Sequence, residues 1–122
     1  MIKKTIIVME DDGDLRRFIC TALELKGYRV IQQENSFGIV SLLEMHQPAL
    51  VIMDLVMPEF EGFEGILKIV DCCSVPIIAI SSFPEYFYLV EQMVARCLIK
   101  PLEMSTFLHE VDSVLAGKIN QV

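Results

Sequence analysis

Residues 49–58, Ala49-Leu50-Val51-Ile52-Met53-Asp54-Leu55-Val56-Met57-Pro58, join an unbroken apolar run to a bare carboxylate and a turn. The run from Ala49 to Met53 is short and reads as a strand bound for the interior. Such a strand ending on Asp54 raises an electrostatic question, because an unpaired buried charge is costly. Asp54 needs an electrostatic partner or a place at an opening, and Pro58 with Gly62 supplies the turn that follows.

The same organisation repeats along the chain. Thr5 to Met9 reads as a buried strand, followed by a helix with Leu15, Phe18, Ile19, Ala22 and Leu23 on one face. Asp12 or Gly13 can cap its start and Gly27 can end it in a left-handed turn. Tyr28 to Gln32 is a second strand. Ser36 then caps a second helix with Ile39, Leu42 and Leu43 facing inward and Pro48 beyond its end. Strand three is Leu50 to Asp54, and Phe63, Ile66, Leu67 and Val70 make the stripe of a third helix. Pro76 to Ser81 is strand four, Tyr86, Leu89, Val90, Met93 and Val94 mark a fourth helix, and Cys97 to Ile99 is a short fifth strand. A last helix, Glu103 to Ala116, turns Phe107, Val111, Val114 and Leu115 inward, and Gly117 closes it.

Strands alternating with helices require a parallel sheet covered on both faces, with right-handed crossovers. All strands then end at one edge, where ligands of such sheets bind. The chain of 122 residues fits one domain, residues 1–122. It is 53% hydrophobic, with mean hydropathy +0.50, enough for a real core. No apolar run reaches the length of a membrane span, and the N-terminal run meets Glu10 too soon for a signal peptide, so a cytoplasmic protein is expected. A formal charge of −7, from 17 acidic and 10 basic residues, argues against direct nucleic-acid binding. Cys20, Cys72, Cys73 and Cys97 show no CxxC spacing and read as reduced thiols.

The strand ends carry the chemistry. Strand one ends in Glu10-Asp11-Asp12, strand three in Asp54, strand four in Ser81-Ser82 and strand five in Lys100-Pro101. Alone, each is an ordinary cap, turn former or solvated side chain. Gathered at one edge, three carboxylates repel unless a cation resides among them, and oxygen donors of this kind suit Mg²⁺. His46 and His109 lie on helices away from this edge, so nothing there suits zinc. Glu10, Asp11 and Asp54 balance Mg²⁺ plus Lys100. If Asp54 takes a phosphoryl group its charge becomes about −2, which calls for cation contacts and a hydroxyl donor such as Ser81.

With Val-Met-Glu-Asp-Asp, Met-Asp-Leu-Val-Met-Pro followed by Gly62, Ile-Ser-Ser and Ile-Lys-Pro in this order, the chain resembles a response-regulator receiver domain of two-component signalling. The resemblance covers nearly the whole chain. It implies the α/β, doubly wound, flavodoxin-like fold of the chemotaxis regulators, a five-stranded parallel sheet of order 2-1-3-4-5 with five helices on both faces. It implies Asp54 as phosphoacceptor, Glu10 and Asp11 with Asp54 as Mg²⁺ ligands, and the Val56 backbone carbonyl as a further ligand. Ser81 and Lys100 would bind the phosphoryl oxygens, and the bond preceding Pro101 is cis in that family. The donor would be a sensor histidine kinase or a histidine phosphotransfer protein. The domain would be a phosphoacceptor rather than an enzyme, although it assists its own phosphoryl transfer and dephosphorylation.

Two departures stand out. Cys97 occupies the position where the family usually has the Tyr or Phe of its switch, and Met93-Val94-Ala95-Arg96 replaces the usual Gly-Ala-Asp-Asp. Upstream, Phe83-Pro84-Glu85-Tyr86-Phe87-Tyr88 places four aromatics in six residues. They read either as core plus scattered surface or as an apolar homodimer or effector surface on the helix 4–strand 5–helix 5 face. Val56 and Phe83 flank the phosphoryl group in the family; both are apolar here and cannot orient an attacking water, which implies slow self-dephosphorylation. Arg16-Arg17 reads either as solvated surface or as a contact for an acidic phosphotransfer partner. The leading expectation is a stand-alone receiver, since only five residues follow Gly117. The alternatives are a receiver fragment of a larger regulator or hybrid kinase, and a pseudo-receiver that never carries phosphate.

Overall fold

The structure, a computed structural model, describes residues 2–56 and 61–117. Pro58 of the turn after strand three lies outside the described residues. Five strands, β1 (Thr5–Met9), β2 (Arg29–Gln33), β3 (Leu50–Asp54), β4 (Ile77–Ser81) and β5 (Arg96–Ile99), form one parallel sheet of order β2-β1-β3-β4-β5. They alternate with α1 (Gly13–Leu25), α2 (Ile39–His46), α3 (Glu61–Cys72), a 3-10 helix (Pro84–Leu89) and α4 (Met104–Leu115). The doubly wound α/β architecture and strand order are those expected, and the fourth of the five helical segments is 3-10. Among the described residues no helix is long and apolar enough to cross a membrane.

The two-residue period of the strands divides the core. Ile6, Val8, Leu50, Ile52, Ile78 and Ile80 face Ile19, Cys20 and Leu23 of α1 and Phe107, Val111 and Val114 of α4. Ile7, Met9, Val51, Met53, Ile77 and Ala79 face Ile39 and Leu43 of α2 and Ile66 and Ile69 of α3. Both faces are covered, so β1, β3 and β4 are continuous apolar runs rather than alternating ones. Each fully buried aliphatic side chain contributes about 1.5–3 kcal/mol of transfer free energy.

Local chemistry sets the helix ends. Asp12 accepts from the backbone N–H groups of Asp14 and Leu15 at 3.0 and 3.1 Å and caps α1, while Gly27, at φ 98°, lets the chain leave it. Ser36 does not cap α2. Gly38 holds that position at φ 73°, and Ser36 is buried, donating from its N–H and its hydroxyl to Glu61 Oε1 at 2.6 and 3.0 Å.

Three apolar stripes are rotated or shortened relative to the sequence reading. The buried arc of α1 centres on Ile19 and Leu23, so Phe18, about 100° round the helix, is 56% exposed. The buried face of α3 is Gly62, Gly65, Ile66 and Ile69, leaving Leu67 and Val70 at the rim. The fourth helix stops after six 3-10 residues, opening on Pro84 and running through three aromatics with little helix propensity. Arg96, which begins β5, is nearly buried and pairs with Glu110 of α4 at 2.7 Å, tying the edge strand to the last helix.

Candidate functional site

The parallel sheet brings the ends of β1, β3, β4 and β5 to one edge. Asp54 closes β3 and is 3% exposed, while Glu10, the first residue past β1, is fully buried. Lys100, just past β5, reaches both: its Nζ lies 2.7 Å from Glu10 Oε1 and 2.9 Å from Asp54 Oδ2. The backbone delivers it there, because the Lys100 N–H donates to the Ser81 carbonyl at 2.9 Å and the Leu55 N–H to the Ile80 carbonyl at 2.8 Å. The Lys100–Pro101 peptide is cis. Asp54 is thus a buried carboxylate with a cationic partner, and exposed Asp11 brings a carboxylate oxygen close to it.

The carboxylates are held individually. The Val56 N–H donates to Asp54 Oδ1 at 3.1 Å, and the Asp12 N–H to Glu10 Oε2 at 3.1 Å. Burial pushes the Glu10 carboxyl up to about 7, against the opposing pull of Lys100 and the Asp12 N–H. Burial alone would lower the Lys100 ammonium, but its bonds to Glu10 and Asp54 outweigh this and hold it above its usual value.

One ligand oxygen each from Glu10, Asp11 and Asp54 lies within 4.8 Å of the others. Apart from its charge contact with Lys100, Glu10 Oε1 accepts no hydrogen bond. Three carboxyl groups share one ammonium in a small volume, so whenever all three are ionised two negative charges lack a partner. A hard divalent cation with oxygen coordination fits this donor set.

Ser81 is fully buried, and its Oγ accepts from the Phe83 N–H at 2.9 Å, which leaves the hydroxyl proton available for donation. Phe83 is 48% exposed. The Val56 side chain is half-buried against the core that contains Met53. Cys97 pairs in register with Ala79, shares the α2–α3 side of the core with Tyr86 and Phe87, and has its thiol pushed up to about 11 by burial. His46 sits in the last turn of α2 and His109 on α4, and neither joins the acidic cluster.

One contributor was not legible and another was misplaced. Arg16 is not idle surface: its Nη1 donates to the Glu10 carbonyl at 2.7 Å and its Nε to Gln32 Oε1 at 3.2 Å, tying the acidic loop to β2. Its position four residues after Asp12, one turn along α1, is the only sequence signal for that return. Arg17 pairs with Asp14 on the surface. Gly62, expected in the turn after strand three, lies instead in the first turn of α3 and brings that turn against the Asp54 and Leu55 carbonyls. Its signal is the spacing of Gly62 and Gly65 at i, i+3, on the face that also carries Ile66 and Ile69.

The family model described as the response regulator receiver domain matches residues 6–112. Protein PilH of Pseudomonas aeruginosa is 30% identical over 118 residues, covering 91% of this chain and 98% of its own. A solved receiver domain protein from Methanospirillum hungatei superposes with a TM-score of 0.87 at 19% identity, over 95% of this chain and 96% of that one. The response regulator TrrA of Thermotoga maritima, solved in complex with Mg(2+)-BeF, gives 0.82 at 22% identity over 91% and 98% of the two chains. The fold, the gathered strand ends and these matches agree: the chain belongs to the response regulator receiver domain family of two-component signalling.

Proposed function

We propose that this chain accepts a phosphoryl group on Asp54 in a Mg²⁺-dependent step. The donor is a phosphohistidine of a sensor histidine kinase or histidine phosphotransfer protein, and the modified domain changes its partner contacts. The observation that carries this reading is the Lys100 ammonium shared by Glu10 and Asp54 beside Asp11. An Asp54 oxygen attacks phosphorus as the P–N bond breaks, and that bond's electron pair returns to the imidazole nitrogen. Glu10, Asp11, Asp54 and the Val56 carbonyl would hold Mg²⁺, whose chemistry is to neutralise charge on the transferring oxygens. The Mg(2+)-BeF complex of TrrA supports that choice of ion.

This chain's own groups do the positioning. The Val56 N–H orients the acceptor carboxylate, and Lys100 stands ready to pair with a phosphoryl oxygen as the charge on residue 54 grows. Ser81 supplies a hydroxyl proton to a second oxygen. Because Ser81 Oγ also accepts from the Phe83 N–H, rotation of that hydroxyl reaches the aromatic 3-10 segment directly. This offers a route to the surface that does not use position 97. The domain acts as a phosphoacceptor rather than on a separate substrate, and the four free cysteines suit a reducing cytoplasm.

Incubation with acetyl phosphate and Mg²⁺, read by intact mass over time, tests this. Wild type should gain one phosphoryl group, and Asp54→Ala or chelator should abolish the gain. With apolar Val56 and Phe83 beside the group, the adduct should outlast minutes. No gain in mass, or gain undiminished in Asp54→Ala, would overturn the assignment; loss within seconds would refute the role given to Val56 and Phe83.

A further inference from the structure

Cys72 ends α3, and Cys73 follows it on the way into β4, at the edge of the sheet opposite Asp54. Both side chains are exposed, and their sulfurs lie 2.7 Å apart. We propose that Cys72 and Cys73 form a vicinal dithiol site that chelates a trivalent arsenical.

The ligand class follows from ligand number and bite. Among the described residues, neither cysteine belongs to a group of three or more His, Cys, Asp or Glu side chains close enough to share one ion. A tetrahedral zinc site has too few partners here. Linear two-coordinate ions need their sulfurs on opposite sides of the metal, whereas these sulfurs are side by side. A pyramidal arsenic(III) centre accepts two neighbouring sulfurs at close to a right angle and keeps its third bond for a substituent. Soft thiolate donors match a soft centre.

A groove of about 370 Å³ opens beside Cys73, walled mostly by Leu43, Pro48, Val75 and Pro76, with Gln47 and Ser74 as its polar members. It offers an apolar seat for an organic substituent on the arsenic. With phenylarsine oxide the chemistry is a condensation: the arsenic–oxygen bonding is replaced by two As–S bonds, and the oxygen leaves as water with the two thiol protons. No electrons are exchanged.

Disulfide formation between the same residues is less favourable. It needs an oxidant, and adjacent Cα atoms about 3.8 Å apart fall short of the usual disulfide span of about 4.4–6.8 Å. It would also strain the Cys73 N–H bond to the Ile69 carbonyl, 2.9 Å long, that closes α3.

The reduced chain is incubated with phenylarsine oxide in excess glutathione and read by intact mass under non-denaturing conditions. One arsenical per chain should be retained against glutathione and stripped by 2,3-dimercaptopropanol. Retention should be lost in Cys72→Ser and in Cys73→Ser and kept in Cys20→Ser and Cys97→Ser. Absence of uptake, stripping by glutathione, or retention in either Cys72→Ser or Cys73→Ser would overturn the site. So would oxidation to a two-hydrogen-lighter species in place of uptake.

Discussion

A methyl group on residue 62 would sit 1.9 Å from the Asp54 carbonyl oxygen and 2.5 Å from that of Leu55, both backbone atoms that cannot swing aside. At residue 65 it would meet Ser36 Cβ at 2.9 Å and the flexible end of Met53 at 3.0 Å. Alanine in a helix gains about 1 kcal/mol over glycine, so the two positions separate propensity from packing. Gly65→Ala should lose about 1–2 kcal/mol and Gly62→Ala distinctly more, roughly 3 kcal/mol or above. Urea unfolding midpoints read the difference, and a Gly62→Ala variant as stable as wild type would disprove the close approach. These two residues also explain why the inward stripe of α3 was misplaced onto Leu67 and Val70. A glycine adds no hydropathy to a periodicity, yet it marks where the helix comes closest to the sheet.

Elements begin and end on chemistry that was mostly local. Asp12, Gly27 and Gly117 were readable because a cap or a left-handed residue acts within a few positions. Glu103 is a cap of the same kind, accepting from the backbone N–H groups of Ser105 and Thr106 at the start of α4. Hydrogen bonds from Thr106 and then Ser105 hold its carboxyl down to about 2, from an ordinary 4.5. A folded-state value below the unfolded one adds stability that is full above about pH 4.5 and is lost as pH falls toward about 2. Glu103→Gln should therefore lower stability at neutral pH and flatten the acid limb; urea midpoints that fall as steeply in the variant would contradict this. The 3-10 segment was harder to read. Leu89, Val90, Met93 and Val94 keep helical spacing, but Pro84 and the aromatics after it supply no helix propensity to extend the turn.

Across the whole molecule, winding five strands in parallel sends every strand end to one side. Residues 10, 54, 81 and 100 meet there although up to 90 positions separate them. The same winding leaves β5 at an edge, where Ile99 is 56% exposed, and the segment leading to it carries Tyr88 at 70% exposure and half-exposed Phe83. If these apolar residues belong to the output surface, sedimentation at rising concentration should show a heavier species with beryllofluoride and Mg²⁺ than without, and Tyr88→Ser should remove it. A strict monomer in both states would rule out a homodimer and leave an unrelated effector as the occupant.

By itself the sequence determined the class of fold and the order of its elements. Strand runs, helix spacing and turn residues are properties of neighbours along the chain. It also named the candidate side chains, since each stands at a strand end that the pattern marks. Only the tertiary structure decided which of those side chains touch. Lys100 divides itself between Glu10 and Asp54, Arg16 returns to the Glu10 carbonyl, and Ser36 leaves α2 for Glu61. The reason is physical: charge pairing, desolvation and close packing act over a few ångströms through space, and a linear pattern carries no such distances.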